Sequence, residues 1–269
     1  MNVRTHYDKR RPRFNDHMLP VRKLHNFAKM CLIKACGQQQ RVLDLCCGNG
    51  GDVQKLKSIG CAEYIGIDIS EGAAERATCR LRESNMQGDV FVGDCFGDEV
   101  FQILSGLRAF GLVNCQFALH YAFFSEDCVR KAFRNIAQSL MPGGVLVGTV
   151  ADGDKLDRLR GALGKKFGDR YYKVAFASKE ASDFGDAYAF TFSGAVDNLT
   201  EYATRKSVFS ALAAEAGLEV RVWENMSLFV QRMMHEESRM FHSMDCDERI
   251  PDVTGMYAVF LCVKRDVGV

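Results

Sequence analysis

The chain has 269 residues, 47% of them hydrophobic and 26% charged, which is enough for one large α/β domain with an inserted subdomain. Thirty-five Lys and Arg against 34 Asp and Glu leave a net charge of +1, which excludes a general polyanion binder, and no apolar run reaches the roughly 18 residues of a membrane-spanning helix. Eleven scattered cysteines without a C-x-x-C pair, and no signal segment at the start, predict free thiols in a reducing compartment and no structural zinc.

Residues 1–30 are basic, with Arg4, Lys9, Arg10, Arg11, Arg13, Arg22, Lys23 and Lys29 against Asp8 and Asp16. The stretch 1–19 reads either as an arm for a polyanionic substrate or as a solvated terminus. Leu24, Phe27, Ala28, Cys31 and Leu32 recur at helical spacing and predict a helix over 20–36. A strand at 41–45, a helix at 51–59 and a strand at 63–68 follow. Ser70 is placed to cap a helix over 71–84. Strands at 89–93 and 110–116, a helix at 125–140 that stops before Pro142-Gly143-Gly144, and a strand at 145–150 continue the alternation. The pattern predicts an α/β fold, doubly wound around a mostly parallel sheet.

The regularity then breaks. Short strands at 170–176 and 187–193 flank a polar connection, so 167–204 reads as a small β-rich insertion over the sheet's carboxyl edge. A helix near 205–216, a strand near 218–224, a longer helix near 226–243 and a last strand at 256–264 complete what reads as a single domain over 1–269.

The segment RVLDLCCGNGGD (41–52), followed by YIGIDIS (64–70), is strand, glycine turn, helix, strand and acid, with Asp68 24 residues after Asp44. That arrangement builds a nucleotide site at the carboxyl edge of a parallel sheet. A dinucleotide loop would need a third glycine where Val53 stands, and a P-loop would need Lys and Ser or Thr after Gly51. What remains is D-x-x-x-G-x-G, the loop shape of S-adenosylmethionine-dependent methyltransferases, or else a turn without a ligand. Asp94-Cys95 ends the third strand, where a carboxylate accepts an adenine amine or caps a helix. NCQFALHYAF (114–123) ends the fourth and places Gln116, His120 and Tyr121 at the mouth of the crevice. His120 also reads as a core histidine, Glu201 as a cap-box or solvated acid, and Tyr257 as packing.

Together these segments resemble the messenger-RNA cap guanine-N7 methyltransferases, which have a Rossmann-like class I methyltransferase fold. The resemblance runs through HYD (6–8), VRKLHNFAK (21–29), VLDLCCGNGGD (42–52), IDIS (67–70), GDC (93–95), CQFALHY (115–121), PGGVLVGT (142–149), FGDAYAF (184–190), TEY (200–202) and MYAVF (256–260). It implies that Lys29 reaches the carboxylate of S-adenosylmethionine, that Cys46 to Gly50 contact its methionine part and that Asp68 holds the ribose. It further places Asp94 and Cys95 at the adenine and Gln116 and Tyr121 beside the sulfonium. Asn26, Phe117, His120, Tyr121, Glu201 and Tyr257 would surround the cap guanosine, and Arg22, Lys23 and the 9–13 cluster would face the triphosphate. Capped RNA as partner, possible association with other capping enzymes, no membrane, no metal, S-adenosylhomocysteine as product and a nuclear location are also implied. The sequence departs from the family pattern at Cys46 and Gly111, where glycine and aspartate are usual, and at His25 and Ala151, where asparagine and proline are usual. A small-molecule methyltransferase and a non-catalytic cap-binding or cofactor-binding subunit are the alternative readings.

Overall fold

The computed structural model describes residues 18–97, 99–104, 106–192 and 196–265. The HYD segment, the 9–13 cluster and all of the arm but residues 18 and 19 lie outside the described residues. Helix α1 (Leu19–Lys34) precedes β1 (Arg41–Leu45), α2 (Val53–Ser58), β2 (Glu63–Asp68), α3 (Glu71–Glu83), β3 (Gln87–Val92), α4 (Glu99–Leu104) and β4 (Phe110–Gln116). A 3₁₀ turn (Leu119–Phe124), α5 (Glu126–Ser139), β5 (Leu140–Ala151) and α6 (Gly153–Leu163) follow. Then come β6 (Lys166–Gly168), β7 (Tyr172–Phe176), β8 (Ala187–Phe192), β9 (Val196–Tyr202), α7 (Lys206–Glu215), β10 (Leu218–Asn225), α8 (Met226–Glu236), α9 (Ser238–Ser243) and β11 (Tyr257–Lys264).

Seven strands form one sheet in the order β10-β11-β5-β4-β1-β2-β3, with β11 antiparallel to both of its neighbours and the other pairs parallel. Side chains alternate between the two faces of a strand, so each central strand feeds two cores. Val42, Tyr64, Leu112 and Val147 meet α1 through Leu24, Phe27 and Leu32, and α8 through Phe229 and Val230. Leu43, Ile65, Val113 and Leu146 meet α5 through Val129, Phe133 and Ile136, and α7 through Phe209. This is the doubly wound arrangement expected from the alternation of strands and helices.

Ser70 caps α3 as its position suggests, accepting the Ala73 amide at 3.2 Å. Several features differ from the sequence expectation, among them α4 and the strands β6 and β9, which the sequence reading did not include. Strand β5 begins at Leu140 and runs through Pro142-Gly143-Gly144, with its register against β4 shifted between Phe110 and Leu112. The long C-terminal helix is two helices, because Glu237 leaves the helical region at φ −116° and ψ 39°. Helix α6 was not anticipated at all; Asp152 caps it by accepting the Lys155 amide at 3.0 Å.

The insertion is a four-stranded antiparallel sheet, β6-β7-β8-β9. Its inward face carries Val174, Phe176, Tyr188, Phe190, Phe192 and Leu199. A buried charge cluster fastens it to the main domain. Asp186, just before β8, accepts both terminal nitrogens of Arg160 from α6 at 3.0 Å each, and also a terminal nitrogen of Arg205. Asp157 binds the same two arginines, and Arg160 lies 4.1 Å over the Phe176 ring. Removing one partner of such a cluster leaves uncompensated charge in a dry place. Asp186→Ala is therefore expected to lower unfolding free energy by about 3–5 kcal/mol, measured by urea denaturation.

Candidate functional site

The parallel registers Asp44↔Gly66, Asp44↔Asn114 and Cys115↔Gly148 end β1, β2, β4 and β5 at one edge. The turn after β1 takes left-handed backbone three times, at Cys46 (φ 55°), Gly48 (φ 54°) and Gly50 (φ 70°). At Gly50 a Cβ would also sit 3.0 Å from the Ala77 Cα of α3, so the loop packs closely on that helix. Glycine takes such backbone without strain, whereas Cys46 carries a side chain there. The Cys46 amide donates to Cys95 Sγ at 3.1 Å, and Cys95 in turn donates to the Ile67 carbonyl at 3.4 Å. Cys95 thus supports the turn from beneath.

Asp68 closes the turn from the tip of β2. One carboxylate oxygen accepts the Gly48 amide at 2.8 Å and the other accepts the Ser70 amide at 2.9 Å. Asp94 is exposed, and its carboxylate accepts the Phe96 amide at 3.0 Å. Lys29 and Lys55 both grip Asp52, at 2.7 and 2.9 Å. Burial alone would raise the Asp52 carboxyl, but the two ammonium groups bring it down to about 2. Asp44, beneath the turn, is pushed up to about 7 by burial and by the Asp52 charge.

A second group of side chains gathers beside β4. Phe117 has φ 57°, a conformation held by its amide donating to Thr149 Oγ1 at 2.7 Å. That backbone turn delivers its ring to a cluster: His25 stacks on it at 5.2 Å, and Tyr257 meets it edge-on at 4.8 Å. Phe192, from the insertion, lies 6.1 Å from His25. Tyr257 also approaches His120 at 6.4 Å, and Tyr121 lies 4.5 Å from His120. Asn26 is half-buried on α1, outside this ring cluster. Lys23 pairs with Asp245 on the helical layer and Arg22 is exposed.

The insertion brings Glu201 to this place. It lies at the end of β9, buried, with Oε2 accepting the Tyr188 hydroxyl at 2.7 Å. Burial raises its carboxyl to about 7, against the lowering effect of that hydrogen bond. His120 Nε2 is 3.8 Å from Glu201 Oε1, too long for a hydrogen bond. Burial lowers His120 to about 3, so the ring is neutral and the two groups do not form an ion pair. Neither His120 nitrogen has a hydrogen-bond partner among the described residues, and the same holds for His25 Nε2 and Gln116 Oε1. Buried polar atoms are nearly always satisfied, so four orphans around one edge point to a ligand.

The structure therefore brings Phe117, His120, Tyr121, Glu201 and Tyr257 together, and sets Cys46, Gly48, Asp68, Cys95 and Gln116 around the turn. Sequence reasoning missed Tyr188, Phe192 and Asp52. The first two lie on the inward period of AYAFTF (187–192), a signal that was available; no local signal marked Asp52 as the partner of Lys29.

Comparison with known proteins decides the family. A family model described as the mRNA (guanine-N(7))-methyltransferase domain matches residues 1–256. The chain belongs to this family. Proteins named mRNA cap guanine-N(7) methyltransferase are similar to it: one from Meyerozyma guilliermondii at 30% identity over 90% of this chain and 51% of the relative, and one from Saccharomyces cerevisiae at 33% over 81% and 56%. One from Arabidopsis thaliana, mRNA cap guanine-N(7) methyltransferase 1, is 34% identical over 81% of this chain and 64% of its own length. The chain thus spans about half to two thirds of the length of these curated relatives. Among solved structures, an S-adenosylmethionine-dependent methyltransferase from Clostridium acetobutylicum superposes with a TM-score of 0.58 at 15% identity, covering 91% of this chain and 92% of the other. The CcbJ methyltransferase from Streptomyces caelestis gives 0.58 at 16%, covering 89% and 94%. These two likenesses show the fold, a class I methyltransferase fold.

The raised carboxyl of Glu201 has a consequence for stability. The folded protein holds this proton up to about pH 7, whereas the unfolded chain loses it near 4.5, so ionising Glu201 costs stability as pH rises between the two. Glu201→Gln escapes that cost. Urea unfolding at a series of pH values is expected to show the variant gaining on the parent by on the order of 2–3 kcal/mol across this window.

Proposed function

We propose that this protein transfers the methyl group of S-adenosylmethionine to N7 of the guanosine cap at the 5′ end of RNA. The observation that carries the reading is the buried Glu201 carboxylate beside the unsatisfied His120 imidazole, walled by Phe117 and Tyr257. Guanine offers an N1–H and a 2-amino group on one edge, a donor pair suited to a single carboxylate. Charge-assisted bonds of this kind contribute about 1.5–3 kcal/mol each. An aromatic wall suits the base or ribose, with stacking worth about 1–3 kcal/mol.

The turn suits the cofactor. Asp68, fixed by two backbone amides, would hold the ribose, and Cys46 to Gly50 would follow the methionine part closely. Asp94 would lie near the adenine, Gln116 and Tyr121 near the sulfur, and Lys29 beside the amino-acid carboxylate, shared with Asp52. When bound, S-adenosylmethionine supplies an electrophilic methyl on a positively charged sulfur. Guanine N7 has an in-plane lone pair and no proton to lose, so the residues need only orient it in line with the methyl. Orientation alone can supply about 7–11 kcal/mol. No general base is required, and His120, Glu201 and Tyr257 act by positioning. Capped RNA is the partner on this reading and the nucleus its place of action. Association with other capping enzymes is compatible with it. Arg22, Lys23 and the 9–13 cluster would face the triphosphate.

Two outcomes are expected. Labelled methyl transfer to RNA ending in an unmethylated guanosine cap, followed by nuclease digestion, places the label in 7-methylguanosine. Label on a ribose hydroxyl overturns the substrate assignment, and no label despite cofactor binding returns the small-molecule or non-catalytic alternatives. Glu201→Gln, which presents an amide donor to the guanine donors, is expected to lower kcat/KM for capped RNA about 100-fold with cofactor affinity unchanged. In the parent, KM for the cap falls as pH rises through about 7, because only the ionised Glu201 accepts both guanine donors.

A further inference from the structure

A chain of buried and half-buried polar side chains crosses three strands on one face of the main sheet and ends at the proposed cofactor site. Strand register explains why they meet. Asp44 of β1 stands opposite Asn114 of β4, and Gln116 lies two residues farther along β4 on the same face. Tyr64 lies two residues before Gly66, which stands opposite Asp44 on β2. The Tyr64 ring runs up the sheet over Gly66, where a Cβ would sit 2.8 Å from the ring and 2.9 Å from its oxygen. The hydroxyl thereby reaches Asp44.

Each link has a direction. Tyr64 donates to Asp44 Oδ2 at 2.8 Å. Asn114 Nδ2 donates to Asp44 Oδ1 at 2.7 Å, and Gln116 Nε2 donates to Asn114 Oδ1 at 2.8 Å. A carboxylate only accepts, so Asn114 must turn its nitrogen toward Asp44 and its oxygen toward Gln116. Gln116 must then donate, and its own carbonyl oxygen is the end left over. That oxygen, Oε1, is buried and without a partner among the described residues. Protonation of Asp44 on Oδ2 leaves the direction intact, because the Tyr64 hydroxyl accepts as readily as it donates.

β4 and β2 flank β1 on opposite sides, and Asp68 stands on the β2 side. On the reading that puts the ribose at Asp68 and the amino-acid carboxylate at Lys29, whose charge reaches Asp44, the adjacent ammonium would be the donor available to an acceptor on β4. We propose that Tyr64, Asp44 and Asn114 are positioning residues that form a one-way hydrogen-bond relay, locking the Gln116 amide with its carbonyl oxygen toward the ammonium of the bound cofactor. This rests on the S-adenosylmethionine reading of the site.

Asp44→Asn tests it, because the shape is kept while the fixed direction is lost: the new amide can face Asn114 with either its nitrogen or its oxygen. Titration calorimetry with S-adenosylhomocysteine, which has the amino-acid end, and 5′-methylthioadenosine, which lacks it, provides the readout. Asp44→Asn is expected to weaken S-adenosylhomocysteine about tenfold and to leave 5′-methylthioadenosine unchanged. In a Gln116→Met background the same substitution is expected to have no further effect. Equal weakening of both ligands, or penalties that add in the double variant, overturns the relay. Asn114→Leu, which removes the middle link at similar size, repeats the test if Asp44→Asn does not fold, with the same ligand dependence expected. A parent protein that binds neither ligand overturns the cofactor reading itself, and the relay with it.

Discussion

A hydrogen bond from the Gly48 amide to Asp68, 2.8 Å long, joins the turn after β1 to the tip of β2. It requires left-handed backbone at residues 46, 48 and 50, and it requires both strands to end at the same height, which parallel register provides. The second Asp68 oxygen takes the Ser70 amide at the start of α3. One carboxylate thus ties together a turn, a strand end and a helix start. The loop's shape depends on these contacts, and the approach of Gly50 to Ala77 leaves it little freedom to relax. Cys46 bears a side chain where the backbone favours glycine, and its amide and thiol are held by neighbouring cysteines.

The other half of the site depends on charge burial. Asp186, Asp157, Arg160 and Arg205 fasten the insertion to α6 and to the segment before α7. With that sheet in place, Glu201 and Tyr188 face His120, and Phe192 reaches His25. The carboxylate enters a dry environment and its proton affinity rises, while the imidazole loses its charge. The His120 nitrogens, without a protein partner among the described residues, are thereby poised for a polar ligand beside the Glu201 carboxyl.

Much of this was legible in the chain. The period of 3.6 marked α1, because burial imposes it where one side of a helix meets a core, and short apolar runs marked the central strands, which are buried on both faces. Ser70 marked a helix start because its side chain satisfies an otherwise orphaned amide. Glu201 was singled out through family resemblance, yet it lies at the end of a strand, not near a helix start. The break at Glu237 and the run of β5 through Pro142-Gly143-Gly144 were not legible, since neither is set by local preference.

By itself the sequence determined the doubly wound α/β class, the glycine turn with its acid 24 residues on, and the residue types that a methyl donor and a guanine would need. Hydrophobic period and backbone sterics are local properties, so they survive in one dimension. Only the tertiary structure decided that Lys29 shares Asp52 with Lys55, that Tyr64 passes over Gly66 to Asp44, and that Glu201 meets His120 across 81 residues of chain (201 − 120). Those pairings come from strand register and from the docking of a separate sheet, and their proton affinities come from how much water the docking removes.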